Sequence, residues 1–165
     1  MKKISFHFFD KDLFVTQSIE RLTGRGNKSH VVIEFEEDHY CIEAIGGRIF
    51  GTNGVVSSTD PLTYHQGRLK PKHHYTLSLE ISDELYRKSL NYAKSCEGYG
   101  YGYGGIAPFV IRFLRPSGKG KYCSQLAKEI YEIAVGHRLS IAQSPNSLFD
   151  VIGAYIKGLY REPVR

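Results

Sequence analysis

The chain has 165 residues, 41% of them hydrophobic, and a formal net charge of +5. That length suits one domain, residues 1–165, with a full core. No apolar run approaches the ~20 residues of a membrane-spanning helix, and three cysteines, none in a C-x-x-C pair, supply neither a disulfide framework nor a zinc ribbon.

From the N-terminus, "MKKISFHFFDKD" begins like a signal peptide but has no sustained apolar region and no small-residue cleavage site. The expectation is a first strand at Ile4–Phe9 and a cytoplasmic protein. "DLFVTQSIERLTG" carries apolar residues at roughly helical spacing and ends at Gly24. After the polar "RGNKS", "HVVIEF" reads as a strand, "EED" as a turn and "HYCIEAI" as a second strand, together a β-hairpin. Glycines punctuate the next stretch into loop or short strand. "RLKPKHH" is a basic loop, and "YTLSLEI" alternates as a strand does.

"SDELYRKSLNYAKSCEG" predicts a helix with Ser82 as N-cap, acidic residues in the first turn and Gly98 just past the end. "GYGYGYGG" is too glycine-rich for a regular element, and "IAPFVIRFL" fits strand or helix. "YCSQLAKEIYEIAVG" is an amphipathic helix with a cysteine in its first turn, and Ser144–Pro145 opens a last helix. Strands in the middle with helices before and after predict an α+β fold, helices packed on an antiparallel sheet.

The placement of Cys123 raises the chemical question. Leu126, Ala127, Ile130 and Ala134 share its helix face, so the thiol points coreward, and a helix start stabilises a thiolate. Lys119 and Lys121 push the same way. A small apolar core cysteine reads equally well. A nucleophile needs a base. Of seven histidines, His30 stands out because it opens an apolar strand directly after a loop.

Glu43 follows thirteen positions later, in the hairpin's other strand. A turn with an even number of residues, Glu36 facing His39, sets Val32 opposite Glu43 and leaves His30 one diagonal step away on the same face. An odd turn separates them, and the two residues are then ordinary strand-end and sheet-edge side chains.

"SHVVIEF…YCIEA", followed downstream by "YCSQLAKEIY", resembles the circularly permuted branch of the NlpC-type papain-like superfamily. YaeF/YiiX-like proteins are the nearest in pattern, and lecithin retinol acyltransferase-like proteins are more distant. The resemblance covers roughly residues 27–133. It implies a papain-like core with a Cys123–His30–Glu43 triad and an acyl-enzyme thioester. The oxyanion would be held by the Cys123 backbone N–H, helped by Tyr122 or Ser124. Neither metal nor cofactor is implied. Two departures stand out: Gln125 replaces a commonly acidic residue, and Val32 replaces a common glycine, which narrows that side of the cleft.

Relatives of that kind cleave amides, including cell-wall peptide bonds, or transfer acyl groups on lipids. A peptide-like substrate is the first expectation. The alternatives are an acyl-lipid substrate with peripheral membrane contact, or a non-catalytic binding module on the same fold. Tyr99, Tyr101 and Tyr103 form either an aromatic lid over the cleft or a merely flexible loop. Arg68, Lys70, Lys72, Arg115, Lys119 and Lys121 either gather an anionic group or solubilise the surface, the latter being the commoner case. No nucleic-acid motif is present.

Overall fold

A computed structural model describes residues 1–10, 28–46, 54–63, 74–102, 120–139 and 144–158. They form an α+β architecture. Five strands, β1 (Lys2–Asp10), β2 (Lys28–Phe35), β3 (Tyr40–Ile45), β4 (Gly54–Ser58) and β5 (His74–Ile81), make an antiparallel sheet in the order β4-β3-β2-β1-β5. Three helices, α1 (Asp83–Ser95), α2 (Cys123–Val135) and α3 (Pro145–Ile156), complete the described elements.

Alternation divides the sheet into two chemically different faces. Ile4, Phe6 and Phe8 of β1, Val31, Ile33 and Phe35 of β2, and Ile42 and Ala44 of β3 join one buried cluster with Tyr86, Leu126, Ile130, Tyr131, Leu148 and Ile152 from the helices. The other face holds Ser5, His7, Phe9, Val32, His30, Cys41 and Glu43, all buried as well. The core therefore lies between sheet and helices, while the second face is more polar, buried along β1 and β3 but exposed at His74 and Thr76 of β5. Each large aliphatic side chain buried in the core contributes about 1.5–3 kcal/mol.

The hairpin register follows the even turn. Ile33 faces Ile42 and Phe35 faces Tyr40, which sets Val32 opposite Glu43. The turn differs in detail. Glu36–Asp38 is a 3₁₀ turn, and His39, expected in the second strand, is left-handed at φ 48° and closes that turn. His74, expected in a basic loop, opens β5 and pairs with Phe9. The glycine-punctuated stretch after the hairpin contains β4.

Helix ends obey their local chemistry. Ser82 accepts the Leu85 N–H, and Ser144 forms a capping box with Ser147 ahead of Pro145. Gly136 ends α2 at φ 77°, a conformation that costs glycine nothing. The expected helix near residues 12–24 and the segment 106–114 lie outside the described residues.

Candidate active site

His30 and Glu43 are brought together. The imidazole Nε2 lies 2.6 Å from the Glu43 Oε2 across the β2–β3 hairpin, with His30 6% and Glu43 1% exposed. Glu43 sits between Val32 and Val56, its neighbours on the adjacent strands. An unpaired carboxylate there would cost several kcal/mol, so the imidazole is also its structural partner. The bond is made at Nε2, so any proton exchange with a third group runs through Nδ1.

The Phe9 ring lies 6.5 Å from the imidazole, centroid to centroid. Two residues upstream, Asn146 of α3 accepts the Lys28 backbone N–H at 2.9 Å and donates to the Lys28 carbonyl at 3.2 Å. Asn146 thus acts as a short strand partner where β2 begins. Nothing in the sequence marked it, because its role depends on a contact 118 residues away.

Cys123 is the first residue of α2 and is 6% exposed. Tyr122 is the N-cap and makes no side-chain capping bond, unlike the serines that open α1 and α3. Ser124 is buried beside it. Burial, and then the adjacent Cys123 and Glu129, hold the Tyr122 phenol above its ordinary pKa, so it stays a hydrogen-bond donor at neutral pH.

The start of α2 is tied to the end of β3. Tyr101 bridges to Lys121 in parallel fashion, with the Gly102 N–H donating to the Lys121 carbonyl and the Lys121 N–H to the Gly100 carbonyl. The Tyr101 ring lies over Gly46, the residue after β3; a Cβ at Gly46 would stand 2.6 Å from it. A Cβ at Gly102 would stand 2.8 Å from the Gly120 carbonyl oxygen. Tyr99 is held too, its carbonyl accepting the Val55 N–H. The described part of the Gly-Tyr segment is therefore held in place by backbone hydrogen bonds and one isolated bridge. Tyr103 lies outside the described residues.

Cys123 and the His30–Glu43 pair thus belong to the same end of the sheet, where β2 starts and β3 stops. They come from different sides. Cys123 belongs to the cluster beneath the helices, while His30 and Glu43 alternate onto the second face. A thiol–imidazole contact must be made around the end of the sheet.

Lys121 adds little positive field at Cys123. Its ammonium bonds Glu129 and the Tyr92 hydroxyl, and Gln125 donates to the other Glu129 oxygen at 3.1 Å. Burial opposes ionisation of Glu129, but these three partners outweigh it and hold the carboxyl below its ordinary value. Gln125 thus makes an i,i+4 contact along α2. Arg68, Lys70, Lys72, Arg115 and Lys119 lie outside the described residues. The other thiols differ from Cys123 in setting: Cys41 is buried on the second face, where burial pushes it up to about 12, and Cys96 caps the C-terminus of α1.

No described helix is long and apolar enough to cross a membrane. A scan against protein-family models finds no match, and neither curated proteins nor solved structures contain a match to this chain.

Proposed function

We propose that the protein is a cysteine hydrolase of the permuted papain-like type, cleaving an amide bond in a peptide-like substrate. The observation that carries this reading is the buried His30–Glu43 pair at the end of the sheet where α2 begins with Cys123. Glu43 orients the ring and favours imidazolium, and His30 Nδ1 takes the thiol proton. The Cys123 thiolate attacks the substrate carbonyl, and the oxyanion is held by the helix-start N–H groups with the Tyr122 hydroxyl. Imidazolium then protonates the leaving amine, leaving a thioester. Water, deprotonated by His30, releases the acid and restores the thiol. No step requires a metal or cofactor.

The test is the rate of Cys123 alkylation against pH, in wild type and His30→Ala. A thiolate–imidazolium pair gives an acid-side step at a pKa of ~3.5–7.5 and a plateau through neutrality. In His30→Ala that step moves up toward the free value of about 8.5. A single wild-type step near the free value, unchanged by the substitution, would mean the two residues do not interact, and the reading would fail. Mass spectrometry of the trapped Cys123 adduct then separates substrates: a peptidyl group supports the amidase and a fatty acyl group a lipid acyltransferase.

A further inference from the structure

The second face of the sheet carries another histidine–carboxylate pair, on which no step of the proposed reaction depends. His7 of β1 is 7% exposed, and its Nε2 lies 2.8 Å from the Glu34 Oε2. On its other side, His7 Nδ1 is 3.0 Å from His74 Nε2 and 3.2 Å from the Thr76 hydroxyl, and His74 Nε2 is 3.4 Å from that hydroxyl. Three donor atoms thus form a nearly equilateral triangle. In a tetrahedral site with metal–ligand bonds of ~2.0–2.1 Å, ligand atoms stand about 3.3 Å apart. The three edges lie within about 0.3 Å of that spacing.

We propose that His7 Nδ1, His74 Nε2 and Thr76 Oγ1 form a binding site for a late first-row divalent cation of the zinc class, with solvent completing the coordination. The His7 tautomer suits this role, and that of His74 must change. An ionised carboxylate only accepts, so Glu34 holds the His7 proton on Nε2 and turns the Nδ1 lone pair toward the triangle. This carboxylate–imidazole–metal order is the usual outer support of a histidine ligand. His74 offers its Nε2 lone pair once its own proton sits on Nδ1. That is a tautomer shift within the ring, with no net proton gained or lost.

The platform is stiff. His7 pairs directly with Thr76, and Phe9 with His74, in the β1–β5 ladder. The His74 ring is stacked on Phe9 at 4.7 Å with a 5° interplanar angle. Strand-borne ligands keep their geometry better than loop-borne ones. Imidazole nitrogens select zinc, copper, nickel or cobalt over magnesium or calcium. No set of three or more His, Cys, Asp or Glu side chains converges on a metal site among the described residues. The third donor is therefore a hydroxyl, and affinity is set mainly by the two rings.

The experiment uses the full chain, stripped with a chelator, then titrated with Zn²⁺ by calorimetry and with Co²⁺ by visible absorption. One equivalent is expected, with a four-coordinate cobalt spectrum lacking a thiolate charge-transfer band. His74→Ala should weaken binding at least ~10-fold, and Glu34→Gln by ~10-fold or more. His74 is exposed on an edge strand, so its variant is expected to fold, which circular dichroism checks. Cys123→Ser should leave the affinity unchanged. Absence of binding, binding that survives both His7→Ala and His74→Ala, or binding lost with Cys123→Ser would each overturn the proposal.

Discussion

Two histidine–glutamate pairs lie on one face of one sheet and differ in what surrounds them. His30–Glu43 and His7–Glu34 are both diagonal neighbours on adjacent antiparallel strands, bonded through Nε2 and Oε2 at 2.6 and 2.8 Å. The Glu43 side chain is 2% exposed and flanked by valines, whereas that of Glu34 is 21% exposed. At the end of the sheet the first pair is the one we propose to exchange a proton with the Cys123 thiol. One strand over, Nδ1 meets a second imidazole and a hydroxyl, an arrangement of metal ligands. A carboxylate-oriented histidine is therefore generic, and the group at its other nitrogen decides its chemistry.

The comparison breaks most sharply in activity. With a chromogenic acyl ester as reporter, His30→Ala should lower turnover by about 10⁴-fold, as loss of a base does in triads. His7→Ala should leave it within about threefold of wild type, since the proposed mechanism does not use that ring. Equal losses in both variants would mean that neither ring is the base.

Next in size is selectivity among thiols. Limiting iodoacetamide at neutral pH should label Cys123 at least ~100-fold faster than Cys41, whose thiol is held protonated by burial. Peptide mapping reads the ratio, and equal labelling in the folded protein would remove the case for an activated thiol.

Stability sharpens the contrast. Glu43→Ala breaks a buried pair and should cost about 3 kcal/mol in urea unfolding, against about 1 kcal/mol for Glu34→Ala. Glu43→Gln, able to keep a hydrogen bond to the ring, should retain partial turnover.

The smallest effect concerns Lys121, two residues before Cys123. Because Glu129 already matches the Lys121 charge, Lys121→Met should move the Cys123 alkylation step by less than about half a pH unit. Glu129 gives a pH signature with a definite sign. Its folded pKa is depressed, so its stabilisation is present above its unfolded value near 4.5 and is lost as pH falls through the lower folded value. Glu129→Gln should flatten that acid limb of the unfolding free energy by about 1 kcal/mol.

Much of the hairpin was legible in the sequence. Alternation in "HVVIEF" and "YCIEAI" set which residues share a face, and an even turn then placed Glu43 diagonal to His30. Caps were legible because Ser82, Gly136 and Ser144–Pro145 act within one helical turn. The second face was not. Ser5, His7, Thr76 and Ser78 alternate as solvent-facing residues do, and only long-range strand pairing shows that Ser5 and His7 are buried. His74 was misplaced in a loop for the same reason: its strand is defined by Phe9, 65 positions earlier. Asn146 and Gly46 gave no local signal at all.

The close approach of Gly102 to Gly120 carries a lesson for anyone reading a saturation-mutagenesis library of this chain. Each would place a Cβ within 2.9 Å of the other's backbone, and the bridge they permit leads directly into Cys123. Any side chain at either position must push the two segments apart, and with them the start of α2. Both positions should therefore score as intolerant as Cys123, the proposed nucleophile, although neither offers a single atom to a reaction. Double variants that loosen the bridged segments should recover function where single changes of charge or polarity do not. Depletion in such a library would mark a spacing, not a chemistry.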